Sequence, residues 1–331
     1  MPRQLVLSQS PSRGSGLFFP FAFAVKKDCR FGAEQERSMK LNYKRTILIG
    51  FAFFLIQAFW QAYDTTIPLI LTNTFGMSQT HSGMIMALDN VLALVMLPLF
   101  GSISDRLSTP RGRRTPFIAV GTLVAAVALV ALSFVDMAQL HRLRAVSTID
   151  DPKALEVIYE AERSTPLLTP SGTHFVLSET ISQEEFVSIR SQTDEAGKRT
   201  TNPDYTNYVV PARQAYAAQI TADDPSTLIT FIALLLIILL AMSTFRSPAV
   251  ALMPDITLKP LRSKANAVIN LMGSAGGILV LGLGMVFSTA SVQNSLMSYV
   301  SYFGVIAAIM LAALTVFLLS VNEPAWAQQM K

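Results

Sequence analysis

The chain has a single cysteine, Cys29, and three histidines among 331 residues. A lone thiol excludes an intrachain disulfide and a thiolate metal cluster, and the histidines are too scattered to give ligand spacing. Charge is scarce too. Only 15% of residues are Asp, Glu, Lys or Arg, against about 25% in an ordinary soluble domain. No basic run is interleaved with aromatic side chains, so the net charge of +4 leaves no footprint for nucleic acid, and no such partner is expected. The chain also lacks a nucleophile-base pair, a phosphate loop and a metal cluster, so neither an enzyme nor a cofactor is expected.

What is abundant is apolar sequence. Hydrophobic residues make up 51% of the chain and the mean hydropathy is +0.43. These residues come in blocks rather than with amphipathic periodicity, which suits segments surrounded by lipid. Crossing about 30 Å of hydrocarbon takes about 20 mostly apolar residues. Five stretches qualify directly: Ile47 to Leu71, Ser82 to Phe100, Phe117 to Phe134, Leu228 to Met253 and Ser298 to Val321. A sixth, Ala265 to Phe287, is diluted by Asn266, Asn270 and glycines. Its Gly273 and Gly277 form a small-residue face suited to close helix packing in lipid. An all-α membrane protein with six spanning helices follows.

Loop charges orient the spans. Lys40, Lys44 and Arg45 precede the first, Arg106 to Arg114 separate the second and third, and Lys259, Arg262 and Lys264 separate the fourth and fifth. The alternate connections, Thr72 to His81 and Thr289 to Ser295, contain no lysine or arginine. Both termini are therefore expected in the cytoplasm, in a multi-pass plasma-membrane protein. The long connection 136–226 then lies outside the cell, between spans in 39–135 and spans in 227–331. It is polar and net acidic, with helix-like patterns at Asp151 to Arg163, Ser182 to Gln192 and Pro211 to Ala222. Its apolar content looks thin for an independent core, so a partly ordered loop is expected. Residues 1–38 differ from the rest. Arg3 and Arg13 before a short apolar patch resemble a signal peptide, but Met39, just ahead of Lys-Leu-Asn-Tyr-Lys-Arg, points to a second start codon. That extension is expected to be disordered or mis-annotated.

Several polar residues fall inside the spans. Gln57, Trp60, Gln61 and Asp64 repeat at three- and four-residue spacing and share one helix face. An aspartate in a span costs about 2.5 to 3.5 kcal/mol on insertion scales, which favours a polar cavity. A sugar suits that face, with Trp60 as a plate for the ring and the glutamines and carboxylate bonded to hydroxyls. The alternative is that Asp64 is hydrated at the mouth of the span. Asp89, beside Asn90 in the second span, is a candidate to take up a proton on one side and release it on the other. A structural hydrogen bond to a neighbouring helix would also explain it. Arg246, next to Pro248 in the fourth span, needs a partner in Asp64, Asp89 or a solute hydroxyl, or else snorkels to the interface. Asn266, Asn270 and Ser274 form a polar stripe that faces the cavity or bonds helices together.

The loop Gly101-Ser-Ile-Ser-Asp105-Arg106, continuing to Gly112-Arg113-Arg114-Thr-Pro116-Phe-Ile118, resembles the signature between helices two and three of the major facilitator superfamily. Its wording, with Arg246-Ser-Pro to Pro254-Asp255 and Asn322-Glu323-Pro324, is most similar to sucrose transporters and the related glycoside-pentoside-hexuronide:cation symporters. The resemblance covers about Met39 to Lys331 apart from the long connection. It implies the N-terminal six-helix half of a twelve-helix carrier that takes a disaccharide or other glycoside with a proton, or with sodium, by alternating access. It also implies a missing second half or self-association. By the same resemblance Gly101, Asp105, Arg106, Arg113, Arg114 and Asp255 belong to a cytoplasmic gate, with Arg113 or Arg114 bridging to Asp255. Two departures stand out: the helix-four acid of plant sucrose symporters aligns near apolar Leu239, and of the two helix-two aspartates of melibiose-type carriers this chain has only Asp89, about one turn from the nearer position, so neither coupling site transfers intact. A drug or metabolite antiporter of the same superfamily, or a non-transporting protein that binds a ligand through its external loop, are the competing readings.

Overall fold

The computed structural model describes residues 41–191, 202–291 and 295–329. The expectations placed on residues 1–38, Met39 and Cys29 lie outside them. The chain divides into two units, Met1–Leu41 and Asn42–Lys331, and every element below belongs to the second.

Among the described residues, six helices are long and apolar enough to cross a membrane. The first, α1 (Tyr43–Leu69), is capped by Asn42, whose side chain accepts from the Arg45 amide at 3.1 Å. It runs past Pro68 into a π-helical turn, Ile70–Thr74, where the missing proline N–H loosens the ladder. The second span is broken. Helix α2 (Gln79–Met86) stops at Ala87, and α3 (Leu88–Arg106) continues it. The third is α4 (Thr115–Arg142). The remaining spans are α9 (Ser226–Asp255), α10 (Arg262–Val286) and α11 (Val300–Ser320), followed by a short α12 (Glu323–Gln328). All six expected spans are present. Most outrun their apolar blocks because polar end residues continue the helices into the interfaces.

In the bundle, α10 lies along α1, while α9 packs on α4 and α3, and α11 packs on α4 and α1. Glycine sets the closest seam. A Cβ on Gly276 would stand 2.6 Å from the Phe54 carbonyl oxygen of α1, and one on Gly121 would stand 2.8 Å from the Ala241 carbonyl oxygen of α9. The small-residue face expected on the fifth span thus packs against the first. Phe59, Tyr63, Leu129, Leu235, Phe245, Phe303 and Phe317 fill the centre.

The connection between α4 and α9 forms a small subdomain. It contains α5 (Pro152–Glu162), an antiparallel ribbon of β1 (Pro166–Leu168) and β2 (His174–Val176), the short helices α6 (Leu177–Thr180) and α7 (Gln183–Ser188), and α8 (Val210–Asp223). The ribbon is the only strand pairing among the described residues. Asp151 and Ser182 cap their helices where the sequence placed helix starts. The expected thin core is corrected: Leu155, Ile158, Leu177, Phe186, Val209 and Ala212 pack into one buried cluster. Leu143 and Val146, just past α4, and Leu296, from the α10–α11 turn, complete that cluster. The insertion supplies nearly all of this core itself, with Leu296 added from the α10–α11 turn.

Glu162 lies in that subdomain, fully buried, and neither carboxylate oxygen meets a donor at hydrogen-bond geometry. Burial pushes its carboxyl up, with the Thr165 hydroxyl pulling the other way. The folded state therefore holds a proton that the unfolded chain releases, and this site loses stability as pH rises through the ordinary carboxylate range. Glu162→Gln should match the native protein in acid and exceed it in thermal stability at neutral pH. Melting curves that keep a constant gap at every pH would contradict this.

Candidate functional site

The α1 face predicted from spacing is real and largely open. Gln57 and Asp64 are exposed, and Trp60 and Gln61 are half-buried. The α10 glycines help to place this face: a Cβ on Gly273 would stand 3.1 Å from Gln57 Cγ, and one on Gly277 3.6 Å from Gln61 Oε1. A side chain at Gly273 would press on Gln57, whereas a Cβ at Gly277 would only touch Gln61. Asn266, Asn270 and Ser274 are exposed along the same helix. Neither asparagine side chain makes a hydrogen bond among the described residues, so both donor and acceptor capacity is open to a solute.

Trp60 is fixed by aromatic neighbours. Phe59 and Tyr63 meet it edge-on at 5.5 and 5.3 Å between ring centroids. Its indole nitrogen is buried without a partner. Arg246 places its guanidinium 5.3 Å from the Trp60 ring centroid, a cation–π contact worth about 0.5 to 2 kcal/mol. The arginine therefore reaches span one, but through the indole. Among the described residues it forms no ion pair with Asp64 or Asp89. Those two carboxylates lie within each other's electrostatic reach, beside the Tyr63 hydroxyl.

Asp89 sits in the first turn of α3, just after the break at Ala87, and its Oδ1 accepts from the Asn90 amide at 2.6 Å. A carboxylate at a helix N-terminus within a span is favoured by the orphan amides and the helix dipole there. The break is what gives Asp89 that environment, and it carried no proline or glycine signal at Ala87 in the sequence.

At the opposite end of the bundle, the arginine-rich loop forms a buried latch. Arg114 is buried and bonds three partners: its Nε reaches Asp255 Oδ2 at 3.0 Å, and its two terminal nitrogens reach Asp105 Oδ1 and Ser104 Oγ. Arg113 lies 3.6 Å from the same Asp255 oxygen. The planar guanidinium fork suits this arrangement, in which one cation ties α3 and α9 to the start of α4. Gly101 allows close approach of the two helices, since a Cβ there would stand 2.9 Å from Ser247 Oγ. Arg106 points into the open and forms no ion pair among the described residues. Asp105 keeps more than half of its side chain exposed, so the latch has a free carboxylate edge.

Sequence reasoning missed the other half of this latch. Glu323, at the start of α12, is buried and caps α4. Its carboxylate accepts from the amides of Arg113 at 2.7 Å, Arg114 at 3.1 Å and Thr115 at 2.9 Å, and from Thr115 Oγ1 at 2.8 Å. These are orphan donors of a helix start, so the anion neutralises the amides and meets the dipole together. Gly112 makes room, with φ +111° and a position where any Cβ would run into the Glu323 carboxylate. Arg45 joins the same face through the Trp326 ring, 5.3 Å away, and Gln329 Oε1 at 2.6 Å. The only sequence signal was Asn322-Glu323-Pro324, a cap residue ahead of a proline at a helix start.

Asp136, near the far end of α4, was also missed. It is fully buried, and neither oxygen meets hydrogen-bond geometry. Thr74 and Tyr299 enclose it, from parts of the chain that sequence spacing does not bring together.

A family model described as MFS_1 like family matches residues 34–331. Comparison with curated proteins and with solved structures gives no match.

Proposed function

We propose, on the premise that the chain belongs to the MFS_1 like family and is a multi-pass membrane transporter of a small solute, that the solute is a sugar of disaccharide or glycoside type, carried with a proton by alternating access. The observation that supports this most is the open α1 face, where Trp60 offers a flat apolar surface bordered by Gln57, Gln61 and Asp64. A pyranose ring presents an apolar face and a rim of hydroxyls, and this surface complements both. Asn266 and Asn270 on α10 extend the polar border, and Arg246 lies against the indole ring.

In this reading Asp89 is the proton-carrying group and Asp64 its partner at the solute. The latch face is cytoplasmic, because its arginines and lysines retain it there, and the plasma membrane is the site of action. The exposed edge of Asp105 and the apolar flanks of α3 and α10, with Leu94 and Leu271 largely exposed, are where a second six-helix body, or a second copy, would close the cavity. Trp60→Ala should raise the KM for sugar uptake by roughly five- to thirtyfold, the equivalent of about 1 to 2 kcal/mol of ring contact. Trp60→Phe should fall between. An unchanged KM in the alanine variant would remove the stacking role and, with it, the main support for a sugar.

A further inference from the structure

Away from the α1 face, a cavity of about 160 Å³ opens at the seam between the inserted subdomain and the bundle. Asn73 in the π-helical turn after α1, Arg213 and Gln214 on α8, and Ser291 and Ser295 from the α10–α11 turn line it. Arg213 is its unusual member. The side chain is 95% buried by residue accessibility, leaving 5% exposed, and a guanidinium stays charged in any protein environment.

Its partners are all neutral. Nη1 donates to Tyr205 Oη at 2.9 Å and reaches Ser295 Oγ at 3.5 Å, and the guanidinium carbon lies 5.8 Å from the Tyr205 ring centroid. Nε has no acceptor. Among the described residues no carboxylate comes within ion-pair distance of Arg213. Asp150 contributes charge at Tyr205 but lies beyond ion-pair distance of Arg213, its oxygens accepting from the amide and hydroxyl of Ser191. A buried cation without a counter-ion is costly, and removing it from water is repaid only by an anion or a dense set of acceptors. Here the dense set is incomplete: Nε is sealed off without an acceptor, Nη2 forms no hydrogen bond among the described residues, and the side chain lines a cavity.

We propose that this seam cavity is a binding site for a small oxyanion, a carboxylate or phosphate head, with Arg213 as the charged anchor and Asn73, Gln214 and Ser295 as neutral donors. The anion would bridge the subdomain to α1 and to the α10–α11 turn, so its presence would set how firmly the subdomain seats on the bundle. The volume suits a head group of few atoms and is below the range of pockets that enclose whole drug-sized ligands. The site is independent of the sugar reading, since it shares no residue with the α1 face.

The test is thermal unfolding of the purified full chain in detergent, titrated with sodium phosphate or sodium acetate at constant ionic strength set by chloride. A ligand that binds only the folded state raises the midpoint saturably. The expected result is a saturable rise with phosphate, acetate or both. The anion that saturates first identifies the head group. In Arg213→Gln the apparent affinity should fall about tenfold or more, and Arg213→Lys should retain part of it. Should the Arg213 variants fail to fold, Asn73→Ala provides a second lesion in the lining and should weaken the same saturable response. No saturable rise in the native chain, a rise equal in chloride, or an unaltered response in the foldable variants would overturn the proposal.

Discussion

Glu323→Ala is expected to cost the protein about 3 kcal/mol or more in stability and to abolish transport. The carboxylate satisfies three backbone amides and one hydroxyl at the start of α4, all within 3.1 Å. Alanine leaves buried donors with no acceptor, and each such donor costs about 1 to 3 kcal/mol. The loss is local in its origin and wide in its effect. The Arg114 backbone is held by Glu323 while its side chain holds Asp105 and Asp255, so one cap positions the whole latch. Glu323→Gln keeps an acceptor oxygen and should recover part of the stability. Thermal unfolding of the three proteins decides the point, and equal midpoints for the native and alanine forms would remove Glu323 from the latch.

Asp89→Asn should eliminate accumulation of solute against its gradient while leaving exchange of labelled for unlabelled solute intact. The asparagine oxygen can still accept from the Asn90 amide that Asp89 now caps, so the break at Ala87 survives. What disappears is the ability to bind and release a proton. An uncoupled carrier still reorients with solute bound, which is why exchange persists. If the variant accumulates solute as the native protein does, the proton is carried elsewhere, and the buried Asp136 becomes the next acid to examine.

The sequence was most legible where one physical rule acts over a long segment. Hydrocarbon thickness fixed six spans, and the three- and four-residue spacing of Gln57, Trp60, Gln61 and Asp64 put them on one open face, as found. The bridge from Arg114 to Asp255 was also anticipated, together with the weaker Arg113 contact. What could not be read depends on segments far apart in the chain. Glu323 meets residues more than 200 positions away, and no spacing rule connects a helix start to a residue behind the last span. Arg246 was expected to meet Asp64, Asp89 or a solute hydroxyl, or to snorkel to the interface; its guanidinium lies over the Trp60 ring, a contact outside those candidates. The subdomain core escaped notice for a related reason. Its apolar residues are spread over 143–217 and meet only when α5 packs on α7 and α8, with Leu296 added from the α10–α11 turn.

The central claim is that a sugar and a proton cross together. It is tested most directly in lightly buffered membrane vesicles prepared from cells that make the chain, with a pH electrode in the medium. A pulse of disaccharide should draw protons inward and turn the medium alkaline, in vesicles that contain the chain and not in those that lack it. A sugar pulse that leaves the pH unchanged, or one that acidifies the medium as an exchanger would, contradicts the account.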